Sequence, residues 1–200
     1  MKPIAIALTG ASGMPYTLAL IRELIRTEDE IYIMISQAAS TVISMETDLR
    51  LGSGTDEIEK NLCDYFGAKN GQLKVFSKNQ WTAPVASGSN PPRAMVVCPC
   101  TMSTLAAIAH GHADNLMHRA ADVVIKEGKK LILVPRETPY SAIHLENMLK
   151  LARLGVSIID ANPAFYQKPK SIDDLVNFVV ARILDHLEIE HDLLLPWQAD

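Results

Sequence analysis

The chain has 200 residues, of which 48% are hydrophobic and 21% charged, and its formal net charge is −4. This length suits one domain, and the high apolar content with a small net charge excludes a disordered chain. Nineteen basic residues against 23 acidic ones build no basic field, so we expect no nucleic-acid partner.

The longest uncharged stretch, residues 94–113, is about as long as a membrane-spanning helix. It contains Pro99, Gly111 and two histidines, and we therefore predict a strand, a turn and a buried helix there. The apolar run at residues 4–8 is too short for a signal peptide. We expect a cytoplasmic protein with no membrane span.

Short apolar runs alternate with longer segments of helical period, which is typical of a parallel α/β sheet. The predicted elements of the first half are strand 4–9, helix 15–26, strand 30–36, helix 37–45, a short helix within 52–71, and strand 73–76. Those of the second half are strand 94–98, helices 101–109 and 113–126, strand 130–135, helix 143–154, strand 156–159 and helix 172–187. The pattern predicts a single doubly wound domain.

Two predicted strands end in loops of small and hydroxyl residues, Gly10-Ala11-Ser12-Gly13 and Pro99 to Thr104. A helix follows each loop, so its first backbone N–H groups point into the loop and favour an anion such as phosphate. Turn and cap roles explain either loop alone. Two such loops in one fold favour phosphate binding.

Other common sites fail on spacing. The chain has no P-loop motif, and the first loop lacks the third glycine of a dinucleotide fingerprint. Neither Cys98-Pro99-Cys100 nor His110-Gly111-His112 has metal-ligand spacing, so we expect no metal site. The cysteines are better explained as a buried strand and its turn, and three of them predict no disulfide framework.

Several charged residues lie in apolar surroundings. Arg119 and Lys126 are seven residues apart, on one helical face, and Arg136 and Glu137 directly follow a buried strand. A charge there is costly unless it is paired or functional. Salt bridges on surface loops would explain any one of these residues. Together with Tyr166 and Arg182 they would instead bind a mobile phosphate.

The same segments, taken in order, give the chain a family resemblance. It resembles the UbiX-type flavin prenyltransferases, including forms encoded beside phenolic-acid decarboxylases. The matching segments occur in order and are spread over nearly the whole chain: 10–13, 114–123, 126–127, 136–139, 143–148, 163–166, 182–185 and 197–198.

The resemblance implies a Rossmann-like (flavodoxin-like), mostly parallel α/β fold, with the flavoprotein domain at residues 1–187. It implies transfer of a dimethylallyl group from dimethylallyl monophosphate to N5 and C6 of reduced FMN, without a metal. The product would serve a separate UbiD-type decarboxylase. The resemblance also implies a homododecamer with its sites at subunit junctions, where the tail, residues 188–200, would pack on a neighbouring subunit.

The resemblance also implies residue roles. The expected FMN-binding residues are Gly10, Ala11, Ser12, Ser36, Thr101, Met102, Ser103, Thr104 and Arg136. The expected prenyl-phosphate residues are Arg119, Lys126, Arg136, Glu137, Tyr166 and Arg182. The expected catalytic residues are Ser12, Glu46 (an acid near the reacting flavin edge), Lys126 and Glu137. The loop 87–89 would line the prenyl pocket, and Ser103 replaces a lysine that is common among relatives.

Two alternatives stay open. A flavin-dependent cysteine decarboxylase would need a catalytic histidine near the first helices, and no histidine precedes His110. A non-catalytic flavin-binding subunit would have no use for the desolvated charge that we expect at Lys126, Glu137, Tyr166 and Arg182.

Overall fold

A computed structural model gives the fold and describes residues 2–194. Its strands are β1 (Ile4–Leu8), β2 (Ile31–Ile35), β3 (Leu73–Phe76), β4 (Ala94–Cys100), β5 (Lys130–Pro135) and β6 (Ser157–Ile158). Its helices are α1 (Met14–Arg26), α2 (Gln37–Glu46), α3 (Thr55–Phe66), α4 (Met102–Ala109), α5 (Leu116–Lys126), α6 (Ala142–Arg153) and α7 (Ile172–Leu187).

The six strands form one parallel sheet in the order β3-β2-β1-β4-β5-β6. The chain builds outward from β1 to β3, then crosses back and builds outward on the other side from β4 to β6. This reversal between β1 and β4 opens a crevice at the carboxyl ends of the strands, where doubly wound proteins bind ligands. The predicted doubly wound, single-domain fold is confirmed.

Each face of the sheet has its own apolar core because successive strand side chains point to opposite faces. Ile4, Ile6 and Leu8 pack in the core that α1 and α7 cover. Ala5 and Ala7 pack in the other core, which α4, α5 and α6 cover. All five residues of β1 are buried, as expected for a central parallel strand.

Most predicted boundaries agree with the structure to within two residues, but α5 begins at Leu116 rather than at residue 113. The Asn115 side chain explains the difference, because its Oδ1 accepts a hydrogen bond from His118 N at 3.0 Å and caps the helix there. Ser171 caps α7, with Asp174 completing a capping box.

The uncharged stretch 94–113 forms β4, a turn and α4, and no helix within residues 2–194 is long and apolar enough to span a membrane. Cys98 and Cys100 are fully buried, and burial raises the pKa of the Cys98 thiol to about 12. Ile189 and Leu193, in the first part of the tail, pack on the chain's own core. The segment 197–198 lies outside the described residues.

Candidate active site

The carboxyl ends of β1 and β4 are tied together by Thr9, which is 2% exposed. Its Oγ1 donates to the Pro99 carbonyl at 2.7 Å and accepts from Thr101 N at 2.8 Å. Thr17 makes a similar link from α1, where its Oγ1 donates to the Cys98 carbonyl at 2.6 Å. Sequence patterns did not single out either threonine, although together they fix the two predicted loops at the crevice.

The turn after β1 lies directly against the start of α2. A Cβ on Gly10 would overlap the Ala38 side chain, so only glycine allows this approach. Gly13 has a φ of +123°, which also favours glycine. The close approach brings Ser36, at the end of β2, beside the Gly10 turn.

Ser36 and Thr101 cap the helices that start at the crevice. Ser36 Oγ accepts from Ala39 N at 3.1 Å, and Thr101 Oγ1 accepts from Thr104 N at 3.2 Å. Each cap satisfies one first-turn N–H group, whereas the other first-turn N–H groups of a helix have no intrahelical partner. The cap role and the anion role of these loops are therefore compatible.

Glu46, the last residue of α2, reaches the start of α1. Its Oε2 accepts hydrogen bonds from the backbone N–H groups of Gly13 and Met14, each at 2.9 Å. Burial alone would raise the pKa of Glu46. Hydrogen bonds from Ser12 and the two backbone groups, together with the charge of Arg136, outweigh burial, so the pKa lies below its ordinary value. Glu46 is therefore a carboxylate and is suited to accept a proton rather than to donate one.

Arg136 and Glu137 follow β5 at this same edge. Both side chains are exposed, and Thr138 N donates to Glu137 Oε1 at 3.1 Å. The expected FMN residues, together with Glu46 and Glu137, thus lie around one edge of the sheet, and we call this set the carboxyl-edge cluster.

Lys126 lies at the opposite edge, and Arg119 lies two helical turns before it on α5. Lys126 ends α5, four residues before β5 begins, and its Nζ lies 2.6 Å from Glu127 Oε1. Arg119 Nε donates to the Ala86 carbonyl at 3.1 Å, and a Cβ on Gly88 would lie 2.6 Å from Lys126 Nζ. Both basic side chains therefore face the loop 84–89, and we call them the amino-edge cluster.

Tyr166, in the loop before α7, and Arg182, on α7, form a third group. The Tyr166 ring packs edge-on against Phe178, with ring centroids 5.8 Å apart, and Phe178 is one helical turn before Arg182. Arg182 Nη1 donates to Asp185 Oδ2 at 2.6 Å. We call Tyr166 and Arg182 the α7 cluster.

One chain does not bring these three clusters together. Lys126 precedes β5 and Arg136 follows it. The two ends of this six-residue strand are about 20 Å apart, so Lys126 and Arg136 are far from each other. Helices α5 and α7 cover opposite faces of the sheet, so Lys126 and Arg182 are separated by its thickness.

The expected desolvation of these residues is wrong for one chain. The Lys126 and Arg182 side chains are 46% and 51% exposed, and Tyr166 is 52% exposed. Glu137 is also exposed. The physical reason is that each cluster lies at an open surface, where no second element within residues 2–194 covers it fully.

A cavity of about 160 Å³ at the carboxyl edge was also not predicted. Ser36 and Thr104 line it together with Lys78 and His118. Asn115 Nδ2 lies 3.1 Å from His118 Nδ1, which assigns the proton of a neutral ring to Nε2. Burial lowers the pKa of His118. Among residues 2–194, no group of three or more His, Cys, Asp or Glu side chains is arranged to hold a metal ion.

Comparison with known proteins places the chain among flavoproteins. The family model described as Flavoprotein matches residues 1–184. The flavin prenyltransferase UbiX of Pseudomonas aeruginosa is 52% identical over 194 residues, which cover 97% of this chain and 93% of that protein.

Solved structures agree with that placement. A dodecameric FMN-dependent UbiX-like decarboxylase from Escherichia coli O157:H7 is 40% identical, with a TM-score of 0.86 and coverage of 98% of this chain and 100% of the other. AnUbiX (PadA1), solved with FMN and dimethylallyl pyrophosphate, is 37% identical, with a TM-score of 0.86 and coverage of 99% and 98%.

Proposed function

The chain belongs to the Flavoprotein family and, within it, to the UbiX flavin prenyltransferases, and from this premise we propose the reaction and the residues that perform it. It is a prenyltransferase that joins a dimethylallyl group from dimethylallyl monophosphate to N5 and C6 of reduced FMN. The observation that carries the residue assignment is the carboxyl-edge cluster, where two capped helix starts and a buried hydroxyl network meet the Glu46 carboxylate.

The residues of this edge fit FMN. Hydroxyl groups of Ser36, Thr101 and Thr104 and the first-turn N–H groups of α2 and α4 form a donor set for a phosphate. The close approach at Gly10 keeps the turn compact enough for a flat ring system to lie along the edge. When it is bound, the reduced flavin supplies the nucleophilic atoms for both new bonds.

The chain's own side chains bind the prenyl phosphate and direct protons. Lys126, Arg119 and Arg182 stabilise the departing phosphate as positive charge develops on the allyl group, because fixed cations are strong stabilisers in a water-poor site. Ser12 and Glu46 are hydrogen-bonded to each other, so the carboxylate accepts through the hydroxyl the proton that N5 loses. The same pair returns this proton to the prenyl double bond, which becomes saturated as the second bond forms. The leaving phosphate, held beside Glu137, accepts the proton that the second ring-closing bond releases.

We infer that the site is shared between copies of the chain. The amino-edge and α7 clusters are exposed in one chain, Lys126 and Arg136 lie at opposite ends of β5, and the similar E. coli structure is a dodecamer. A homododecamer that joins the three clusters at each subunit junction removes their charges from bulk water. The tail, residues 188–200, then contributes to the same junctions.

Other roles have less support. A cysteine decarboxylase or a non-catalytic flavin-binding subunit agrees poorly with a relative that is 52% identical and named a flavin prenyltransferase. We propose that the prenylated FMN passes to a UbiD-type decarboxylase and that the protein acts in the cytoplasm.

Anaerobic incubation with reduced FMN and dimethylallyl monophosphate tests the reaction. We expect an FMN product heavier by one prenyl unit in mass spectrometry, with the Glu137→Gln variant as the matched inactive control. An unchanged FMN mass with folded, flavin-loaded wild-type protein would refute the proposed function. Replacing the monophosphate with the diphosphate in a parallel reaction shows which donor is used.

Mixed oligomers test the sharing of the site. Lys126→Ala and Arg182→Ala variants are each expected to lose most of their kcat/KM, whereas their co-expression makes junctions in which each copy supplies the residue that the other lacks. If two copies contribute to each site, random assembly restores about a quarter of the wild-type sites. No recovery in oligomers shown to be mixed by native mass spectrometry would contradict a shared site.

A further inference from the structure

Three hydrogen-bonded polar side chains lie at the C-terminal end of α7, and two of them, Asp185 and His191, have no assigned role. Arg182 Nη1 donates to Asp185 Oδ2 at 2.6 Å, and His191 Nε2 lies 3.1 Å from Asp185 Oδ1. Each oxygen of the Asp185 carboxylate is therefore held by a different group. We propose that Asp185, itself held by His191, is a positioning residue that fixes the Arg182 guanidinium for the prenyl phosphate, an inference that rests on the proposed function.

The spacing suits this role better than a role in stability. Arg182 and Asp185 are three residues apart on one helix, and their side chains are 51% and 45% exposed. Ion pairs that are this exposed contribute little to the stability of a fold. An arginine side chain that is already ordered, however, loses less rotamer entropy when it binds a ligand.

The geometry of the hydrogen bond leaves Arg182 able to bind phosphate. A guanidinium has five N–H donors in one plane, and the bond to Asp185 uses Nη1. The donors of Nε and Nη2 then form an edge that matches two phosphate oxygens. Asp185 therefore sets the plane of the guanidinium without occupying that edge.

His191 is well placed to hold Asp185. Its side chain is only 10% exposed, so packing limits the rotation of the ring. The chain turns back after α7 because Glu188 adopts a left-handed conformation, with a φ of +59°, which brings His191 to Asp185. Since the carboxylate only accepts, Nε2 carries the proton in this contact. The segment after α7 is in this way coupled to a residue of the α7 cluster.

The Asp185→Asn variant tests the proposal in the full-length oligomer. The amide keeps one acceptor oxygen for Arg182 but carries no charge, so it holds the guanidinium less strongly. We expect KM for dimethylallyl monophosphate to rise about fivefold to tenfold, with FMN affinity unchanged by fluorescence titration. A lower FMN affinity with an unchanged KM would overturn the proposal.

A double-mutant cycle separates positioning from a general structural effect. If Asp185 acts through Arg182, the Asp185→Asn/Arg182→Ala double variant has the same KM as Arg182→Ala alone. Additive effects of the two substitutions would overturn the proposal. The Lys130→Gln variant is the matched control, because it removes the 2.7 Å ion pair to Glu188 of the same segment without touching Arg182, and its KM should equal the wild-type value.

Substitution of His191 gives a second route if Asp185→Asn folds poorly. His191→Ala should raise KM by about threefold, and His191→Gln, which keeps an N–H donor, should recover part of the loss. Equal KM values for wild type and His191→Ala would overturn the role of His191. The two levels of inference fail differently: an active wild type in which Arg182→Ala raises KM but Asp185→Asn does not refutes only this inference, whereas an inactive wild type refutes the proposed function.

Discussion

The two edges of the sheet are built differently. At the carboxyl edge, hydrogen bonds within one chain connect four separate segments through Thr9, Thr101 and Glu46. At the amino edge, Lys126 pairs only with its sequence neighbour Glu127 among the ion pairs of residues 2–194, and its side chain is 46% exposed. The hydrogen-bonded network of the carboxyl edge thus forms within one folded chain, whereas Lys126 at the amino edge stays exposed to solvent in one chain.

This difference assigns separate tasks to the edges. A preassembled edge binds a ligand without a large ordering cost. An exposed cluster of cations attracts a phosphate weakly until a second copy removes it from water, because screening by solvent weakens each charge. We therefore expect flavin binding to depend on one chain's fold and prenyl transfer to depend on assembly.

Removal of the amino-edge cation gives the largest expected effect. Lys126→Ala should lower kcat/KM for dimethylallyl monophosphate by more than about 100-fold, because a fixed donor to the leaving group is lost. The protein should stay yellow with bound FMN, as measured by absorbance. Lys129→Ala, an exposed lysine on the next turn, is the matched control. Loss of both turnover and flavin would show that the two edges are not separate in function.

Thr9→Val tests the hydrogen-bonded network of the carboxyl edge. The substitution keeps the shape of the side chain but leaves Thr101 N–H without its partner, and it removes a donor to the Pro99 carbonyl. We expect the free energy of unfolding to fall by about 2–3 kcal/mol, and FMN affinity to fall with it. Urea unfolding measures the first, and fluorescence titration the second. Thr41→Val, at an exposed 3.5 Å contact, should change the free energy of unfolding by less than about 0.5 kcal/mol.

Glu46→Gln tests the charge at the start of α1. The carboxylate has a lowered pKa, so the stability it adds is present above the pKa of the unfolded chain and is lost as pH falls through the folded-state pKa. We expect a loss of about 1 kcal/mol near pH 7, since the site is partly exposed, and a smaller difference from wild type in acid. Thermal unfolding measured between pH 7 and pH 4 checks this. A difference that grows towards pH 4 would contradict the assignment of Glu46 as a carboxylate.

Gly88→Ala should have the smallest effect. The new Cβ would contact the ends of the Lys126 and Glu127 side chains, which are flexible and can move. We expect KM for the prenyl phosphate to rise about twofold to threefold, with flavin affinity unchanged. Steady-state kinetics measure this, and Asn79→Ala, on the same connection between β3 and β4, is the control. An effect on flavin affinity alone would contradict the assignment of this loop to the amino edge.

The sequence predicted the strands, most helix boundaries and the doubly wound class because these depend on local periodicity and capping. It also singled out both loops at the crevice, since glycine and hydroxyl residues there have a local meaning. It did not predict that Thr9 joins those loops, because its partner Pro99 is 90 residues away and no spacing rule connects them. The Asn115 cap was missed for a different reason, since Ala113 and Asp114 before it also suit the first turn of a helix.

The charged residues show most clearly what the sequence alone did not predict. Residue type alone identified Lys126, Arg136 and Arg182 as candidate phosphate ligands, and the family resemblance ordered them into one site. The tertiary structure decided that they lie on two edges and two faces of the sheet, exposed to solvent in a single chain. The physical reason is that the length of β5 and the thickness of the sheet are fixed by backbone geometry, whereas a side chain reaches only a few ångströms. The sequence by itself therefore determined which residue types are available for the site. Whether their side chains come together depends on the fold and on how copies of that fold pack.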